Sequence, residues 1–296
     1  MIISARSYPN PHALLSKDNV KLPKLEFYAL GREAFLSALI SMGLQKGDAV
    51  LIPAFMCNST IKSLEAYGFD IVFIDVDQHL RLPIDQVASL ISVHQVKALL
   101  IVHYFGFTQV IDEIVALCHQ YDVKVIEDAS HSFLSQFSVQ ASERRADAEI
   151  FSMRKSLPVH DGGALRLNSK NTTRCIDKQC LSWVSDIKNI LIRLAERVLI
   201  KLDLNIYADA ITKLKNNTRR FSNSGKMNTE VSPCLPSWSL KKYLSNESYL
   251  KETRQHITRN FTQLADALTA MGFKLQLMIL NTMFHKLALF MITRAD

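Results

Sequence analysis

Short apolar runs alternate with longer amphipathic segments through the first two thirds of the chain. Apolar runs rich in β-branched residues occupy residues 49–53, 71–75, 98–103, 123–127 and 149–152. Between these runs, apolar positions recur at helical spacing over about 32–42, 58–67, 83–92 and 109–121. The short runs fit buried strands, and Gly43, Gly68 and Asp122 fit the ends of helices. The pattern predicts an α/β fold whose mostly parallel sheet is covered on both faces by crossover helices.

Polar and aromatic residues follow the predicted strands. In chain order they are Phe55, Cys57, Asp75, Asp77, His103, Tyr104, Asp128, His131, Ser152 and Lys155. Ligands of open parallel sheets bind beyond the carboxyl ends of the strands, so this edge is the candidate site. Any one of these residues taken alone also fits an ordinary solvated loop. Their convergence from distant parts of the chain favours a binding site.

Composition and charge exclude several classes of protein. Of the 296 residues, 48% are hydrophobic and 21% are charged, which is typical of a globular protein and not of a disordered or fibrous one. The five cysteines lack zinc spacing and the N-terminus lacks a secretory pattern, so we expect a cytoplasmic protein without a metal site. The net charge of +7 permits binding to phosphates, nucleic acid or an anionic membrane. Because the basic residues are dispersed and no nucleic-acid motif occurs, we expect no nucleic-acid partner.

Several motifs resemble those of one enzyme family. VIEDASHS at residues 125–132 is followed by DAEIFSMRKSLPVHDGGALRLN at residues 147–168. Upstream, residues 31–77 and LLIVHYFGF at residues 99–107 come in the order and approximate spacing of that family. Over most of residues 25–170 the chain resembles the DegT/DnrJ/StrS family of pyridoxal-phosphate-dependent sugar aminotransferases, in a subgroup with a short RKSLPxxDGG motif. The resemblance implies the large domain of the aspartate-aminotransferase fold, with three α/β/α layers.

The resemblance also implies roles for residues at the strand ends. Lys155 is the expected catalytic amine, which forms a Schiff base with the aldehyde of pyridoxal 5'-phosphate and later moves a proton. Asp128 is the expected partner of the pyridine nitrogen. His131 occupies the family's position near the phenolic oxygen of the ring, although a structural histidine fits the sequence almost equally well.

The cofactor phosphate is expected at the start of a helix. Gly31, Arg32 and Glu33 open a predicted helix whose free amides and dipole favour an anion, and Ser152 is expected to add a hydroxyl. Gly31 also fits an ordinary turn before a helix. Cys57 stands where relatives stack an aromatic ring on the cofactor, so this contact is expected to be smaller and softer.

The last third of the chain carries two helical patterns and a polar stretch. Residues 188–204 form a predicted amphipathic helix with Lys188, Arg193, Arg197 and Lys201 among its apolar positions. Core or dimer packing is one interpretation of this helix, and contact with an anionic membrane surface is the other. Residues 213–230 fit a polar loop, and residues 249–271 resemble the helix that leads relatives into their small domain.

These observations predict three parts and one activity. The parts are an N-terminal segment (1–24), a cofactor-binding large domain (25–245) with a basic insertion at about 185–230, and the start of a small domain (246–296) that is expected to be truncated. The implied activity is transfer of an amino group from glutamate to a nucleotide-linked keto-sugar, for polysaccharide or lipopolysaccharide synthesis, by a homodimer. The alternative is a non-catalytic remnant or partner subunit with the same fold. Retention of both Lys155 and Asp128 favours the enzyme.

Overall fold

Strands and helices alternate through most of the described chain. The computed structural model describes residues 9–15, 25–106, 109–136, 146–168, 180–201, 230–271, 273–275 and 292–294. The strands are β1 (Glu26–Tyr28), β2 (Ala49–Pro53), β3 (Asp70–Ile74), β4 (Ala98–Val102), β5 (Lys124–Asp128), β6 (Ala148–Ser152), β7 (Gly163–Leu167), β8 (Phe273–Leu275) and β9 (Ile292–Arg294). The helices are α1 (Pro11–Leu15), α2 (Gly31–Ser41), α3 (Asn58–Tyr67), α4 (Ile84–His94), α5 (Asp112–Gln120), α6 (Phe133–Gln136), α7 (Trp183–Lys201), α8 (Trp238–Leu244) and α9 (Glu247–Ala270).

The first seven strands form a single mixed sheet. Its strand order is β1-β7-β6-β5-β4-β2-β3, and β8 pairs with β9 in a separate sheet. The pairs β2–β3, β2–β4, β4–β5 and β5–β6 are parallel. These strands are the five that the sequence predicts, so the mostly parallel sheet is confirmed. The sequence pattern does not predict β1 and β7. These two strands pair antiparallel with each other, and β7 also pairs antiparallel with β6.

Apolar side chains on both faces of the sheet explain its helical layers. All five residues of β4 are buried. Leu100 belongs to a core that includes Phe35 of α2 on one face. Leu99 belongs to a second core, with Ile91 of α4 and Val115 of α5. Because successive residues of a strand point to opposite faces, these two cores lie on opposite sides of the sheet and give the three predicted layers.

Two cysteines that the sequence does not pair form a disulfide. Cys180 and Cys234 are bonded, with their Cα atoms 5.1 Å apart. The backbone explains the approach, since the Cys180 N–H donates to the carbonyl of Leu235 and the Cys234 N–H to that of Phe27. The sequence separation of 54 residues gives no local signal for this pairing. The cytoplasmic location stays a prediction.

The C-terminal part is described in separate stretches. The predicted helices at 188–204 and 249–271 correspond to α7 and α9. The predicted polar loop at 213–230 lies almost wholly outside the described residues, as does most of the chain after residue 275. The predicted domain boundary at residue 245 falls between α8 and α9 and stays a prediction. Within the described residues, none of the helices combines the length and apolar character needed to cross a bilayer.

Candidate active site

A cavity of about 390 Å³ lies at the carboxyl edge of the sheet. This edge gathers residues that follow β2, β4, β5 and β6, because parallel strands end at the same side of a sheet. The lining residues are Leu30, Gly31, Arg32, Phe55, Met56, Cys57, Ser59, Thr60, Val102, His103, Tyr104, Phe105, Asp128, Ser130, His131, Ile150, Ser152, Arg154 and Lys155. Seven of the eight residues that the sequence assigns to the site are among them.

Lys155 ends a tight turn that directly follows β6. The turn spans Met153–Lys155, and its first N–H donates to the carbonyl of Gly162 over 2.8 Å. Lys155 remains open to water at the cavity, but desolvation by the surrounding protein lowers the pKa of its amine. The charge of Asp128 opposes this shift. A lowered pKa leaves more of the amine neutral near pH 7, and only the neutral amine is a nucleophile.

A buried carboxylate anchors the loop behind the lysine turn. Both oxygens of Asp161 accept hydrogen bonds from Ser237, one from its N–H over 2.8 Å and one from its hydroxyl over 2.7 Å. Burial raises the pKa of Asp161, and the bonds from Ser237 oppose that rise. Because Asp161 immediately precedes Gly162, these bonds fix the carbonyl that receives the Met153 N–H.

Asp128 and Tyr104 meet where β4 and β5 end. Asp128 is the last residue of β5, and its carboxylate accepts the N–H of Ser130 over 2.8 Å. The Tyr104 hydroxyl donates to the carbonyl of Phe55 over 2.8 Å, and the two rings stack with centroids 5.4 Å apart. Burial and the charge of Asp128 raise the pKa of Tyr104, so its hydroxyl stays protonated. The result is a carboxylate beside a fixed aromatic wall.

His131 faces the cavity with a defined tautomer. Its Nδ1 accepts the backbone N–H of Phe105 over 3.2 Å, and the two rings stack at 6.0 Å. Burial, then the charge of Lys155, lowers the pKa of His131, so the ring is neutral near pH 7. Since Nδ1 accepts this hydrogen bond, it carries no proton, and the proton of the neutral ring is on Nε2. His131 is therefore a neutral hydrogen-bond donor at this site.

The start of α2 supplies a possible anion site. Its N-cap, Leu30, has no side chain that could bond the first-turn amides. The Glu33 N–H donates to the Leu30 carbonyl over 3.0 Å, so the amides of Gly31 and Arg32 are the ones left for a ligand. A Cβ placed on Gly31 would lie 3.3 Å from the Cβ of Ser152, which shows how closely the helix start approaches β6. Arg32 and Ser152 line the same part of the cavity.

Glu33, also predicted at the anion site, does not line the cavity. Burial raises the pKa of its carboxyl group, while the backbone N–H groups of Leu30 and Ala29 hydrogen-bond to it and oppose this rise. This is the geometry of a capping box, in which the third residue of a helix bonds back to the N-cap. In this structure Glu33 holds the helix start together.

Cys57 carries an activated thiol at the cavity. It is the N-cap of α3, and its Sγ lies 3.1 Å from the hydroxyl of Ser59. The bond from Ser59, and more weakly the charge of Lys155, lowers the pKa of this thiol. Phe55, more than half exposed, supplies the nearby aromatic surface that Cys57 lacks.

We expect Cys57 to be alkylated by iodoacetamide faster than an ordinary cysteine. Because its pKa is lowered, its rate should reach half of its plateau below the usual thiol pKa of about 8.5. Buried Cys118 is the internal control, since burial raises its pKa to about 12. Mass spectrometry of the two peptides over a pH series measures both rates. Equal labelling of Cys57 and Cys118 would contradict the described cavity.

Several residues that line this cavity are not predicted from the sequence. Phe55 and Tyr104 follow predicted strands but are not among the residues that the sequence assigns to the site, and neither are Phe105 and Arg154. The position of Arg154 directly before Lys155 is a signal that could have identified it. The backbone of Phe105 is in the left-handed region (φ 54°), and phenylalanine is not a residue type from which this conformation could be predicted. In the part of the chain that the structure describes, no cluster of His, Cys, Asp and Glu could hold a metal ion.

Comparison with known proteins identifies similar sequences and folds. The model of the DegT/DnrJ/EryC1/StrS aminotransferase family matches residues 29–183, just over half of the chain. A DegT DnrJ EryC1 StrS aminotransferase from Brucella abortus aligns with a TM-score of 0.52 and 18% identity, covering 93% of this chain and 66% of that one. NtdA from Bacillus subtilis, with bound cofactor PMP, aligns with a TM-score of 0.54 and 19% identity, covering 90% and 54%.

A third similar structure is 3-amino-5-hydroxybenzoic acid synthase. It aligns with a TM-score of 0.52 and 18% identity, covering 85% of this chain and 58% of that one. At such identities the likeness shows a shared fold. The chain spans between 54% and 66% of the length of these three structures.

Proposed function

Because the chain belongs to the DegT/DnrJ/EryC1/StrS aminotransferase family, we propose that it is an aminotransferase that uses pyridoxal 5'-phosphate. The observation that carries this proposal is that Lys155 and Asp128 line the same cavity. They reach it from different elements, the turn after β6 and the end of β5. An amine and a carboxylate facing one cavity are the two groups that this cofactor needs on its aldehyde and its ring nitrogen.

The donor set of the cavity fits the cofactor. Lys155 would bind the aldehyde carbon, and Asp128 would pair with the protonated ring nitrogen. The first amides of α2, Arg32 and the Ser152 hydroxyl would bind the phosphate, and the close approach of Gly31 to Ser152 places these donors side by side. His131 would donate its Nε2 proton to the phenolic oxygen.

The protein residues govern proton positions around the reacting carbon. When bound, pyridoxal phosphate supplies an aldehyde for amines and a ring that accepts electrons from the substrate carbon. The Nζ of Lys155, with its lowered pKa, can accept a proton and return it near neutral pH. The carboxylate of Asp128 would stabilise positive charge on the ring nitrogen. Neutral His131 donates a hydrogen bond without adding positive charge.

For the substrates we propose glutamate as amino donor and a nucleotide-linked keto-sugar as acceptor. Arg32 and Arg154 line the cavity with positive charge, which suits a carboxylate or a diphosphate. Phe55 and Phe105 are 55% and 47% exposed and offer flat apolar surfaces to a sugar or a base. A homodimer and a role in polysaccharide or lipopolysaccharide synthesis belong to the same proposal.

Absorption spectroscopy of the purified chain with added pyridoxal phosphate tests the proposal. We expect a visible band from cofactor bound covalently to the protein, and we expect glutamate to bleach it. The cofactor should also protect Cys57 from iodoacetamide, which reports binding without turnover. A band that glutamate leaves unchanged would support the alternative, a non-catalytic partner subunit. Absence of both the band and the protection would refute the cofactor site.

A further inference from the structure

Helix α7 presents a row of apolar side chains to solvent. Trp183, Val184, Ile187, Leu191 and Val198 are 65%, 58%, 39%, 60% and 54% exposed. Their spacing places all five on one side of the helix, because residues three, four or seven positions apart share a face. We call these five residues the exposed stripe. A contiguous exposed apolar surface of this kind indicates an interaction site.

The side of α7 next to the exposed stripe is fixed to the body of the protein. Buried Asp186 accepts the N–H and the hydroxyl of Ser239 over 2.8 and 2.7 Å. Ile190 packs in a core that also holds Leu240 and Tyr243 of α8. Arg193, also buried, donates to the carbonyl of Val159 over 3.4 Å. These contacts set the rotation of the helix about its axis, so the exposed stripe faces outward.

The charges of α7 favour an anionic partner. Its basic residues are Lys188, Arg193, Arg197 and Lys201, and its acidic residues are Asp186 and Glu196. Asp186 and Arg193 are both buried, against Ser239 and Val159, and present no charge to a partner. Lys188 and Arg197 are exposed. The chain as a whole carries a net charge of +7, which adds a long-range attraction to a negative surface.

We propose that the exposed stripe docks α7 onto the surface of a bilayer that contains anionic phospholipid. The helix would lie in the plane of the membrane, with the stripe among the upper acyl chains and Lys188 among the headgroups. Amphipathic helices with a basic polar face and tryptophan on the apolar face bind bilayers in this way. This interaction surface is independent of the proposed reaction, since no residue of α7 lines the cavity.

A second copy of the chain is a poorer occupant of the stripe. A helix of 19 residues is about 28 Å long, and a stripe about 10 Å wide along it covers roughly 300 Å². Stable dimers bury about 800 Å² on each partner. A symmetric contact through the stripe would also bring the basic residues of both helices together.

Fluorescence of Trp183 tests the proposal. The chain has two tryptophans, so the Trp238→Phe variant leaves Trp183 as the only reporter. We expect its emission to shift to the blue with phosphatidylcholine vesicles that contain phosphatidylglycerol, and to be quenched by brominated acyl chains. Vesicles of phosphatidylcholine alone, and added salt, should weaken the binding because they remove or screen the negative charge.

Two substitutions separate the apolar and the charged contributions. Leu191→Ser in the Trp238→Phe background should weaken partitioning about tenfold or more, since a leucine leaves the acyl region. Lys188→Gln should weaken it about fivefold through the loss of one charge. Val110→Ser is the matched control, because Val110 is 74% exposed and is not part of α7. Circular dichroism checks that all variants are folded.

Two results would overturn the proposal. One is an unchanged Trp183 spectrum with anionic vesicles at low salt. The other is a dimer in sedimentation equilibrium that shields Trp183 from acrylamide without lipid and that dissociates in Leu191→Ser. The second result would assign the stripe to a copy of this chain.

Discussion

Replacing Lys155 by alanine is expected to lower amino transfer by a factor on the order of 10⁴, since both covalent binding of the cofactor and proton transfer at the reacting carbon depend on this amine. No other lysine lines the described cavity. The visible band of the covalently bound cofactor should disappear, while phosphate binding at α2 should persist. Single-turnover kinetics with glutamate and titration with pyridoxal phosphate measure the two effects separately.

Two comparisons make this result specific to Lys155. Lys97→Ala removes an exposed lysine directly before β4, at the opposite edge of the sheet, and should leave the band and the rate unchanged. Added methylamine should restore part of the activity of Lys155→Ala, because a free amine can replace the missing proton carrier. A visible band of normal intensity in Lys155→Ala would show that the cofactor is bound elsewhere.

Replacing Gly163 by alanine is expected to lower the free energy of unfolding by about 4 kcal/mol or more, in the range that marks severe steric conflict. A Cβ at this position would lie 2.3 Å from the carbonyl carbon and oxygen of Leu30 and 2.8 Å from the N of Gly31. These atoms are backbone and cannot rotate away. The start of α2 would have to move, so affinity for pyridoxal phosphate should also fall.

A second glycine distinguishes this clash from a general effect of alanine. Gly43 has a positive φ of 94°, but a Cβ there would meet nothing within 4 Å. Gly43→Ala should therefore cost only about 1–2 kcal/mol, the penalty for a left-handed backbone. Urea denaturation of both variants gives the comparison. If Gly163→Ala unfolds at the same urea concentration as Gly43→Ala, the close approach of Leu30 to β7 is wrong.

The parallel part of the fold was predictable because burial on both faces leaves a strong pattern. β2 and β4 are five residues long and wholly apolar, β5 and β6 each contain an adjacent apolar pair, and glycine or aspartate ends several intervening helices. β1 has only three residues, and β7 contains Arg166. Arg166 is buried because its guanidinium bonds Glu149 on β6 over 2.8 Å. Such a partner is visible only after the strands have paired.

The candidate site was predictable where a residue type is chemically required. Lysine and aspartate have few substitutes for binding an aldehyde and a ring nitrogen, so the resemblance identifies Lys155 and Asp128 directly. Backbone groups leave no such trace in the sequence. The N–H of Phe105 that fixes the tautomer of His131 is one example, and the amides of Leu30 and Ala29 that hold Glu33 at the helix start are another.

The hydrogen bonds between Asp161 and Ser237 imply that one step of folding must follow another. All seven strands of the main sheet lie within residues 26–167, but Ser237 comes 76 residues after Asp161. During synthesis, the turn that carries Lys155 therefore leaves the ribosome well before its anchor has been made. The reactive amine takes its final position only once that later segment has arrived.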